Sequence, residues 1–360
     1  MNLLFVLTTD SLGGAEQYLK MLVHHHKGED ISIYYFKNNK RGQWDDVESF
    51  AKKHLISSVH EVTGIIGFVF MMLFKRKRYD YVYTSHIYTT ALVGMLKSLG
   101  IIRSTYFVAR ESTSIFLRFK GFMLRFYSFL YKIGYRKIDL LICQTEEMKN
   151  QLLEHFPNIR KRTKIKVIPN PIDLGGKSEL ANQDLDDIFK VNCLVSAGRL
   201  IELKGYNFLI EAFEQLKKEH PKLKLVILGR GPLKEVIEQQ VDNSIYKNDI
   251  FMQGRVDNVY NYFKHAQVCV VSSLIEGFPN VLLQMMSQND KVVSTLCAGG
   301  IDEIDGIYTA EPGNTEALAK AIHLALTEDT SGNRKRFDDY LDQRSIERFV
   351  QQLNAELINA

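Results

Sequence analysis

Residues 268–286 read VCVVSSLIEGFPNVLLQMM, and they predict a buried strand, a short loop and a helix. The run 268–271 is apolar, largely β-branched and of strand length. Gly277 permits a turn, and Pro279 suits the first position of a helix, where its missing N–H group is no loss. Glu276 then lies just beyond the C-terminal end of the strand, which is where open α/β sheets bind ligands. This pattern favours an α/β protein with a polar site at the strand ends.

The helix after this loop carries one polar stripe. Its polar residues fall at i, i+4, i+7 and i+8, and they are Asn280, Gln284, Ser287 and Gln288. Residues at this spacing lie on one helix face, so the stripe leads from Glu276 along the helix. A solvated face of an ordinary amphipathic helix would look the same, and both interpretations stay open at this point.

Two domains are expected from the length of 360 residues and the hydrophobic content of 45%. Each half of the chain opens with an apolar strand that runs into a glycine-rich turn. The break at Pro169-Asn170-Pro171 marks the boundary between them. The predicted domains are 1–172, a linker at 173–190, a second domain at 191–342, and a last helix at 343–360 that crosses back to the first domain.

The cytoplasm is the expected compartment. The N-terminal apolar run 3–7 is too short for a signal peptide and has no basic residue before it. The longest apolar run, 65–74, is too short to span a bilayer, and we predict a buried helix over 64–74. The four cysteines show no metal or redox spacing, so reduced core thiols are expected.

The formal charge is distributed unevenly. Residues 1–172 hold 26 Lys and Arg against 14 Asp and Glu, whereas the remainder holds 20 against 28. A basic half indicates an anionic partner, such as a membrane surface, a phosphorylated lipid or nucleic acid. Nucleic acid is disfavoured because no recognised binding module accompanies the charge.

The basic half contains one aromatic and cationic segment, residues 116–137. It holds eight Phe or Tyr residues, six Lys or Arg residues and no acidic residue. This composition predicts a helix lying on an anionic membrane. A helix packed in the core with a basic rim remains the alternative, because helical periodicity cannot separate the two.

Several other strand ends carry residues suited to anions. Gly13 and Gly14 precede a predicted helix, where backbone N–H groups can bind a phosphate, although a plain tight turn is the simpler interpretation. Arg199 and Lys204 follow the first strand of the second half, and together they can neutralise a diphosphate.

Two further strand ends of the first half carry His86 and Arg110-Glu111. We expect these three side chains to face one site, where Arg110 suits an acceptor phosphate. A structural ion pair at the strand ends is the alternative.

The motifs Gly198-Arg199-Leu200, Lys204-Gly205 and Glu276-Gly277-Phe278-Pro279, with Gly13-Gly14-Ala15-Glu16, resemble those of a known family. It is the retaining GT-B glycosyltransferase family, the group 1 or family 4 enzymes of bacterial surface polysaccharide synthesis. The resemblance covers nearly the whole chain and implies two Rossmann-like domains facing across a cleft. It implies that the first domain binds the acceptor and the second binds the nucleotide-sugar.

The resemblance also implies roles for particular residues. Arg199 and Lys204 would stabilise the leaving diphosphate, and Glu276 would orient the sugar hydroxyls. The implied donor-binding residues are Gly13, Gly14, Gly198, Arg199, Lys204, Gly229, Arg255, Val256, Glu276, Gly277, Phe278, Pro279, Asn280 and Gln284. The acceptor-side candidates are His86, Arg110, Glu111, Gly299, Gly300 and Glu303.

Three positions depart from the family pattern. Gln284 stands where the family has a glutamate that holds the ribose, Asp302 stands in place of a proline, and Arg110 replaces a common histidine. Gln284 can bond hydroxyls but carries no charge, so donor affinity and nucleotide preference depend on it.

The expected function is transfer of a hexose from a nucleotide-diphosphate sugar, a UDP-sugar by preference, to a glycan or polyprenyl-diphosphate-linked acceptor with retention. No metal and no cofactor is expected, and attachment to the inner face of the cell membrane would proceed through 116–137. The alternatives are a catalytically silent GT-B partner subunit, supported by Gln284 alone, and a nucleotide-sugar epimerase on the same fold.

Overall fold

The computed structural model describes residues 1–39, 42–57, 60–112, 115–175 and 177–358, with the side chain of Arg118 outside this description. The chain divides into two compact units. Unit 1 comprises Met1–Pro171 and Ile346–Ala360, and unit 2 comprises Ile172–Ser345.

Unit 1 is built on a seven-stranded parallel sheet in the order β3-β2-β1-β4-β5-β6-β7. Its elements up to residue 171 are β1 (Asn2–Thr9), α1 (Gly14–His25), β2 (Asp30–Lys37), β3 (Ala51–Ser57), α2 (Glu61–Phe74), β4 (Arg78–Thr84), α3 (Ile87–Ser98), β5 (Arg103–Arg110), α4 (Ile115–Arg118), α5 (Gly121–Gly134), β6 (Leu140–Cys143), α6 (Glu146–His155) and β7 (Lys164–Val167).

Unit 2 repeats this plan with six parallel strands in the order β10-β9-β8-β11-β12-β13. Its elements are α7 (Lys177–Ala181), β8 (Cys193–Ala197), α8 (Tyr206–Leu216), β9 (Lys224–Leu228), α9 (Lys234–Asn243), β10 (Ile250–Gly254), α10 (Tyr260–His265), β11 (Val268–Val271), α11 (Asn280–Met286), β12 (Val292–Thr295), β13 (Tyr308–Ala310), α12 (Thr315–Thr327) and α13 (Asn333–Asp342). The last helix of the chain is α14 (Ile346–Ile358).

Helices cover both faces of the unit 1 sheet. One apolar cluster joins the sheet to α2, α3, α5 and α6, through side chains such as Phe68, Ile87, Tyr131 and Leu152. The other cluster joins the opposite face to α1 and α14, and includes Leu19 of α1. Parallel strands buried on both faces must be apolar throughout, which is why runs such as 3–7 show no alternation.

The segment 173–190, expected to be a linker, instead packs onto unit 2. It contains α7 and a 3-10 helix, Asp187–Phe189, and it buries Leu185 and Phe189 in the unit 2 core. Ile172 also pairs with Ser345 in a parallel bridge. The two ends of unit 2 are therefore joined to each other by backbone pairing.

The run 65–74, expected to form a buried helix, forms only a half-buried one. Helix α2 buries Gly64, Phe68 and Met72 against the sheet, whereas Phe70 and Phe74 are largely exposed. The physical reason is that α2 covers one face of an edge of the sheet and meets nothing described on its outer side. No described helix has the length and apolar content needed to cross a membrane. All four cysteines are buried and free, as predicted.

Candidate functional site

Glycines bring three strand ends of unit 2 close together. The Gly198 N–H group donates to the Leu228 carbonyl at 2.9 Å, and the Gly229 N–H group donates to the Gly254 carbonyl at 2.7 Å. A Cβ atom at Gly229 would lie 1.8 Å from the Gly198 carbonyl oxygen, so a side chain cannot fit there. The C-terminal ends of β8, β9 and β10 thus form a half-buried backbone platform, where the glycines leave room for close approach of a ligand.

Lys204 and Glu276 form an ion pair beside this platform. Lys204 closes a 3-10 helix, Glu202–Lys204, and its carbonyl oxygen accepts a bond from the Ser272 hydroxyl at 2.9 Å. The Ser273 hydroxyl donates to the Glu276 carboxylate at 2.9 Å. The Lys204 and Glu276 side chains are 18% and 20% exposed, so the pair is reachable from solvent but largely shielded.

Gly205 explains how Lys204 comes to lie over the end of β11. Its φ is 60°, in the left-handed region, and a Cβ atom there would lie 2.2 Å from the Ser272 carbonyl oxygen. Only glycine combines this conformation with such a close approach. The Lys204-Gly205 pair is therefore a structural requirement as well as a source of charge.

Three arginines surround the platform with exposed side chains. They follow β8, β9 and β10, and they are Arg199, Arg230 and Arg255. Within the described part of the chain none of them has an ion-pair partner. Unpaired guanidinium groups at strand ends are suited to polyanionic ligands such as a diphosphate. Arg230 is not among the predicted site residues, although its place after Gly229 at a strand end is a usable signal.

The helix after the Glu276 loop begins one residue later than expected. Pro279 caps α11 rather than occupying its first position, and α11 ends at Met286. Ser287 and Gln288 therefore lie at or beyond the helix end, and the helical stripe reduces to Asn280 and Gln284. Gln284 donates to the Tyr260 hydroxyl at 3.1 Å.

The glycine pair of unit 2 is tied to the same loop. The Glu276 N–H group donates to the Cys297 carbonyl at 2.7 Å, just before Gly299 and Gly300. Gly300 has a φ of 80°, and Glu303 is exposed. Unit 2 thus brings Glu276, Lys204 and this segment together at one edge of its sheet.

In unit 1 the glycine-rich turn is organised by Glu16. Its carboxylate accepts bonds from the Gly13 N–H group at 3.1 Å and from the Thr8 hydroxyl at 3.3 Å. His86 lies at 2.6 Å from the same carboxylate. Burial raises the pKa of Glu16, but the hydrogen bond and charge of His86 outweigh it, and the pKa lies below its usual value. Glu16 was not among the predicted site residues, although it completes the Gly-Gly-Ala-Glu motif.

Arg110 lies at this strand edge but is not presented to solvent. It is 3% exposed, its guanidinium stacks 4.5 Å from the Tyr18 ring centroid, and it donates to Ser85 at 3.1 Å and to Asn170. The proposed role in binding an acceptor phosphate is therefore wrong for the conformation described. Arg110 instead holds the ends of β4, β5 and the chain after β7 together.

Glu111 does not share a site with His86, contrary to the sequence analysis. It is 2% exposed and accepts a bond from the Tyr131 hydroxyl of α5 at 2.6 Å. Burial raises the pKa of Glu111 to about 7, against opposing hydrogen bonds from Tyr131 and Tyr135. Alternation explains the difference, because successive residues at a strand end point to opposite faces of the sheet.

This burial predicts a pH-dependent stability. Between about pH 4.5 and 7 the folded protein keeps a proton on Glu111 that the unfolded chain has released. The free energy of unfolding should therefore fall as pH rises through this range, by up to about 3 kcal/mol. Glu111→Gln should raise the free energy of unfolding more at pH 8 than at pH 5, because the buried carboxyl is charged only at the higher pH. Urea unfolding followed through Trp44 fluorescence measures this difference. Exposed Glu154 provides the control Glu154→Gln, and an equal gain at both pH values would contradict the assignment.

Segment 116–137 divides between core and surface. Tyr131 and Tyr135 are buried around Glu111, whereas Phe122, Phe126 and Phe129 of α5 are exposed. The N-terminal two thirds of α5 therefore presents aromatic side chains outward, and its C-terminal end anchors it in the core.

Two family models match the chain, one for each unit. The model described as Glycosyltransferase Family 4 matches residues 12–175, and the model described as Glycosyl transferases group 1 matches residues 184–344. These matches include the Gly13–Glu16 turn in unit 1 and the Arg199, Lys204 and Glu276 cluster in unit 2.

Several curated relatives are named as glycosyltransferases. An uncharacterized glycosyltransferase of Methanocaldococcus jannaschii is 35% identical over 48% of this chain and 44% of its own length. An N-acetylgalactosaminyltransferase of Campylobacter jejuni, named for a diphospho-undecaprenol-linked substrate, is 29% identical over 56% of this chain and 54% of its own. The chain thus spans about half the length of the first curated relatives it matches. A second Campylobacter jejuni enzyme, an alpha-1,4-N-acetyl-D-galactosaminyltransferase, is 25% identical over 91% of this chain and 90% of its own.

Solved structures share the fold at lower identity. The crystal structure of Anabaena HepE in complex with UDP-glucose has a TM-score of 0.80 and 18% identity, covering 100% of both chains. A sucrose-phosphate synthase from Thermosynechococcus elongatus has a TM-score of 0.76 and 15% identity, covering 99% of this chain and 98% of its own. The predicted fold class, GT-B with two Rossmann-like units, is confirmed.

Proposed function

The chain belongs to the group 1 and family 4 glycosyltransferases, and on this premise we propose that it transfers a hexose from a UDP-sugar. The proposed acceptor is a glycan or a polyprenyl-diphosphate-linked glycan of cell-surface polysaccharide synthesis, and the anomeric configuration is retained. Relatives named for undecaprenol-linked substrates support this class of acceptor. Fold neighbours crystallised with UDP and UDP-glucose support this class of donor.

The observation that carries the proposal is the Lys204–Glu276 ion pair at the end of β8, where the Lys204 side chain lies against Gly198. Arg199 follows directly, exposed and with no ion-pair partner among the residues that the structure describes. A diphosphate arriving at the β8 end would meet two cations, of which one is already held in place. Lys204 and Arg199 would stabilise the charge that develops on the leaving diphosphate. Glu276, released in part from Lys204, would accept bonds from sugar hydroxyls.

On the acceptor side we propose a role for the Glu16–His86 pair. His86 is 27% exposed and Glu16 is 8% exposed, so the imidazole is the reachable member. Glu16 fixes the orientation of the imidazole and also holds the Gly13 N–H group. His86 would thus contact the acceptor in a fixed orientation.

The test of the function is direct product identification. The protein is incubated with UDP-glucose, UDP-galactose, UDP-N-acetylglucosamine or UDP-N-acetylgalactosamine and a bacterial membrane lipid extract, in excess EDTA. We expect UDP release coupled to a labelled lipid product, because cationic side chains take the place of a metal at the diphosphate. The coupling constant of the new anomeric proton reports retention. Loss of activity that magnesium or manganese restores would overturn metal independence, and no transfer under any condition would favour a silent partner subunit.

Gln284 provides a prediction about donor affinity. We propose that it contacts the ribose while bonded to Tyr260, and Gln284→Glu would then restore a charged acceptor for the ribose hydroxyls. Donor nucleotide affinity should rise by about tenfold or less, the scale of one charge-assisted hydrogen bond. Calorimetry with UDP measures it, with Gln288→Glu beyond the helix end as the control. An unchanged affinity would remove Gln284 from the ribose site.

Segment 116–137 supports a proposal about location. We propose that the exposed aromatic side chains of α5 attach the protein peripherally to an anionic membrane at the cytoplasmic side. Exposed cations on and after the helix, among them Lys132, Arg136 and Lys137, would each contribute about 1 kcal/mol near such a surface. Flotation with anionic vesicles at rising salt concentrations measures this attachment, which should weaken without vanishing because aromatic burial is not screened.

A further inference from the structure

Helix α2 carries an exposed apolar stripe that the proposed function does not use. The stripe comprises Val62, Ile66, Phe70, Leu73 and Phe74. These residues follow each other at helical spacing, and Phe74 is 72% exposed. The rings of Phe70 and Phe74 pack together at 4.8 Å with their outer faces open. A contiguous exposed stripe of this kind marks an interaction surface rather than ordinary surface variation.

The stripe lies in the same helical layer as α5. Both helices contribute to the apolar cluster on one face of the unit 1 sheet, through Phe68 and Met72 of α2 and Tyr131 of α5. Their outward side chains therefore emerge from the same side of unit 1. On α5 these side chains include Phe122 and Phe126. Two separate helices thus present apolar residues to whatever covers this side.

The charges around the apolar stripe indicate what kind of partner covers it. The chain leaves α2 through Lys75-Arg76-Lys77-Arg78, in which Lys75 donates to the Tyr34 hydroxyl and Lys77 pairs with Asp30. Arg76 and Arg78 are exposed and have no ion-pair partner among the residues described. These cations would face the headgroups of an anionic bilayer.

Acidic residues are almost missing from these two helices. Glu61, which hydrogen-bonds to the Tyr88 hydroxyl, is the only acidic residue in α2, and α5 contains none. A protein partner would need acidic and apolar groups in matching positions. An anionic bilayer supplies negative charge at its headgroups and an apolar environment at its acyl chains, across its whole surface.

We propose that α2 inserts its apolar stripe into an anionic bilayer as a second membrane-binding element of unit 1. At 14 residues α2 is about 21 Å long, so it would lie in the interface plane rather than cross it. The inference builds on the proposed attachment through 116–137 and adds a separate inserting helix. Two inserting helices on one side fix which side of unit 1 faces the lipid, which a single helix does not.

A tryptophan reporter tests insertion directly. Trp44 is the only tryptophan of the chain and is buried, so Phe74→Trp adds one exposed reporter. With vesicles that contain anionic lipid and brominated acyl chains, we expect half or more of the added emission to be quenched. Ile245→Trp, at an 86% exposed position of unit 2, is the matched control and should stay unquenched. An unquenched Phe74→Trp on vesicle-bound protein would overturn the inference.

Glutamate substitutions distinguish the contribution of α2 to membrane binding from that of α5. Phe70→Glu with Phe74→Glu should weaken partition to anionic vesicles by tenfold or more. The control pair, Val236→Glu with Ile245→Glu on exposed positions of unit 2, should leave partition unchanged. If Phe122→Glu with Phe126→Glu abolishes binding while the α2 pair binds like the wild type, α5 alone attaches and the role of α2 is refuted.

Two further outcomes are decisive. Self-association without vesicles that the α2 pair abolishes would show that a second copy covers the stripe, and would refute the bilayer. Transfer to a water-soluble acceptor, measured in parallel on every variant, tests the glycosyltransferase proposal independently. Loss of vesicle binding with unchanged soluble transfer therefore supports the inference, whereas vesicle binding that is equal in all variants refutes it.

Discussion

Lys204→Met should reduce turnover at saturating donor by on the order of a hundredfold while leaving the fold intact. The substitution keeps the length of the side chain and removes the charge that the proposal places on the leaving diphosphate. A charge-assisted hydrogen bond contributes about 1.5–3 kcal/mol, and a transition-state contact belongs at the upper end. Arg199→Ala should act in the same direction, since Arg199 meets the same ligand from the end of β8.

A second substitution in the Lys204–Glu276 ion pair distinguishes loss of catalysis from loss of stability. Lys204→Met removes the cationic partner of Glu276, and a displaced Glu276 loop would lower turnover as well as the lost charge. Glu276→Gln keeps the bond from Ser273 and removes the unpaired carboxylate. The double variant should therefore recover stability in urea unfolding but not turnover. Lys222→Met, at an exposed position, is the control, and full turnover in correctly folded Lys204→Met would refute the assignment.

Gly205→Ala should destabilise unit 2 and reduce activity together. The left-handed backbone at φ 60° costs an alanine about 1 kcal/mol, and its Cβ atom would lie 2.2 Å from the Ser272 carbonyl oxygen. Relief of that overlap requires the backbone to shift, which raises the total loss to about 2–4 kcal/mol. The shift would also move Lys204 relative to Glu276, so turnover should fall with stability.

The control for this change is another glycine of the same unit. Gly332→Ala precedes α13 at an unstrained φ of −84°, and a Cβ atom there meets nothing within 4 Å. Urea unfolding followed by circular dichroism should show a loss for Gly205→Ala and little change for Gly332→Ala. Equal effects of the two substitutions would show that the close approach at Gly205 does not constrain the fold.

The polar loop after β11 could be predicted from sequence because its signals are local. An apolar β-branched run, a glycine turn and a proline near a helix start all lie within 268–286. The strand-end cations Arg199 and Lys204 were found in the same way. The hydrogen bond from Gln284 to Tyr260 could not be predicted, because the two residues are 24 positions apart and no local pattern encodes their contact.

The errors share a physical cause. Local sequence predicts the wrong environment for Arg110, Glu111 and the run 65–74, because the exposure of a residue depends on what the rest of the chain packs against it. Glu111 is covered by α5, and the outer side of α2 is covered by nothing described. A hydrophobic run predicts that a helix forms, not how many of its faces are buried.

The pairing of Ile172 with Ser345 has a consequence for the order in which the molecule can be completed during synthesis. Unit 2 is one continuous stretch of chain that closes on itself, so it can finish folding once residue 345 has left the ribosome. Unit 1 precedes unit 2 in the sequence but lacks α14 until residues 346–358 have emerged. Until then the apolar side chains of α1 that pack with Phe349 and Leu353 remain uncovered. Helix α14 is therefore added to unit 1 only after the whole of unit 2 has been synthesised.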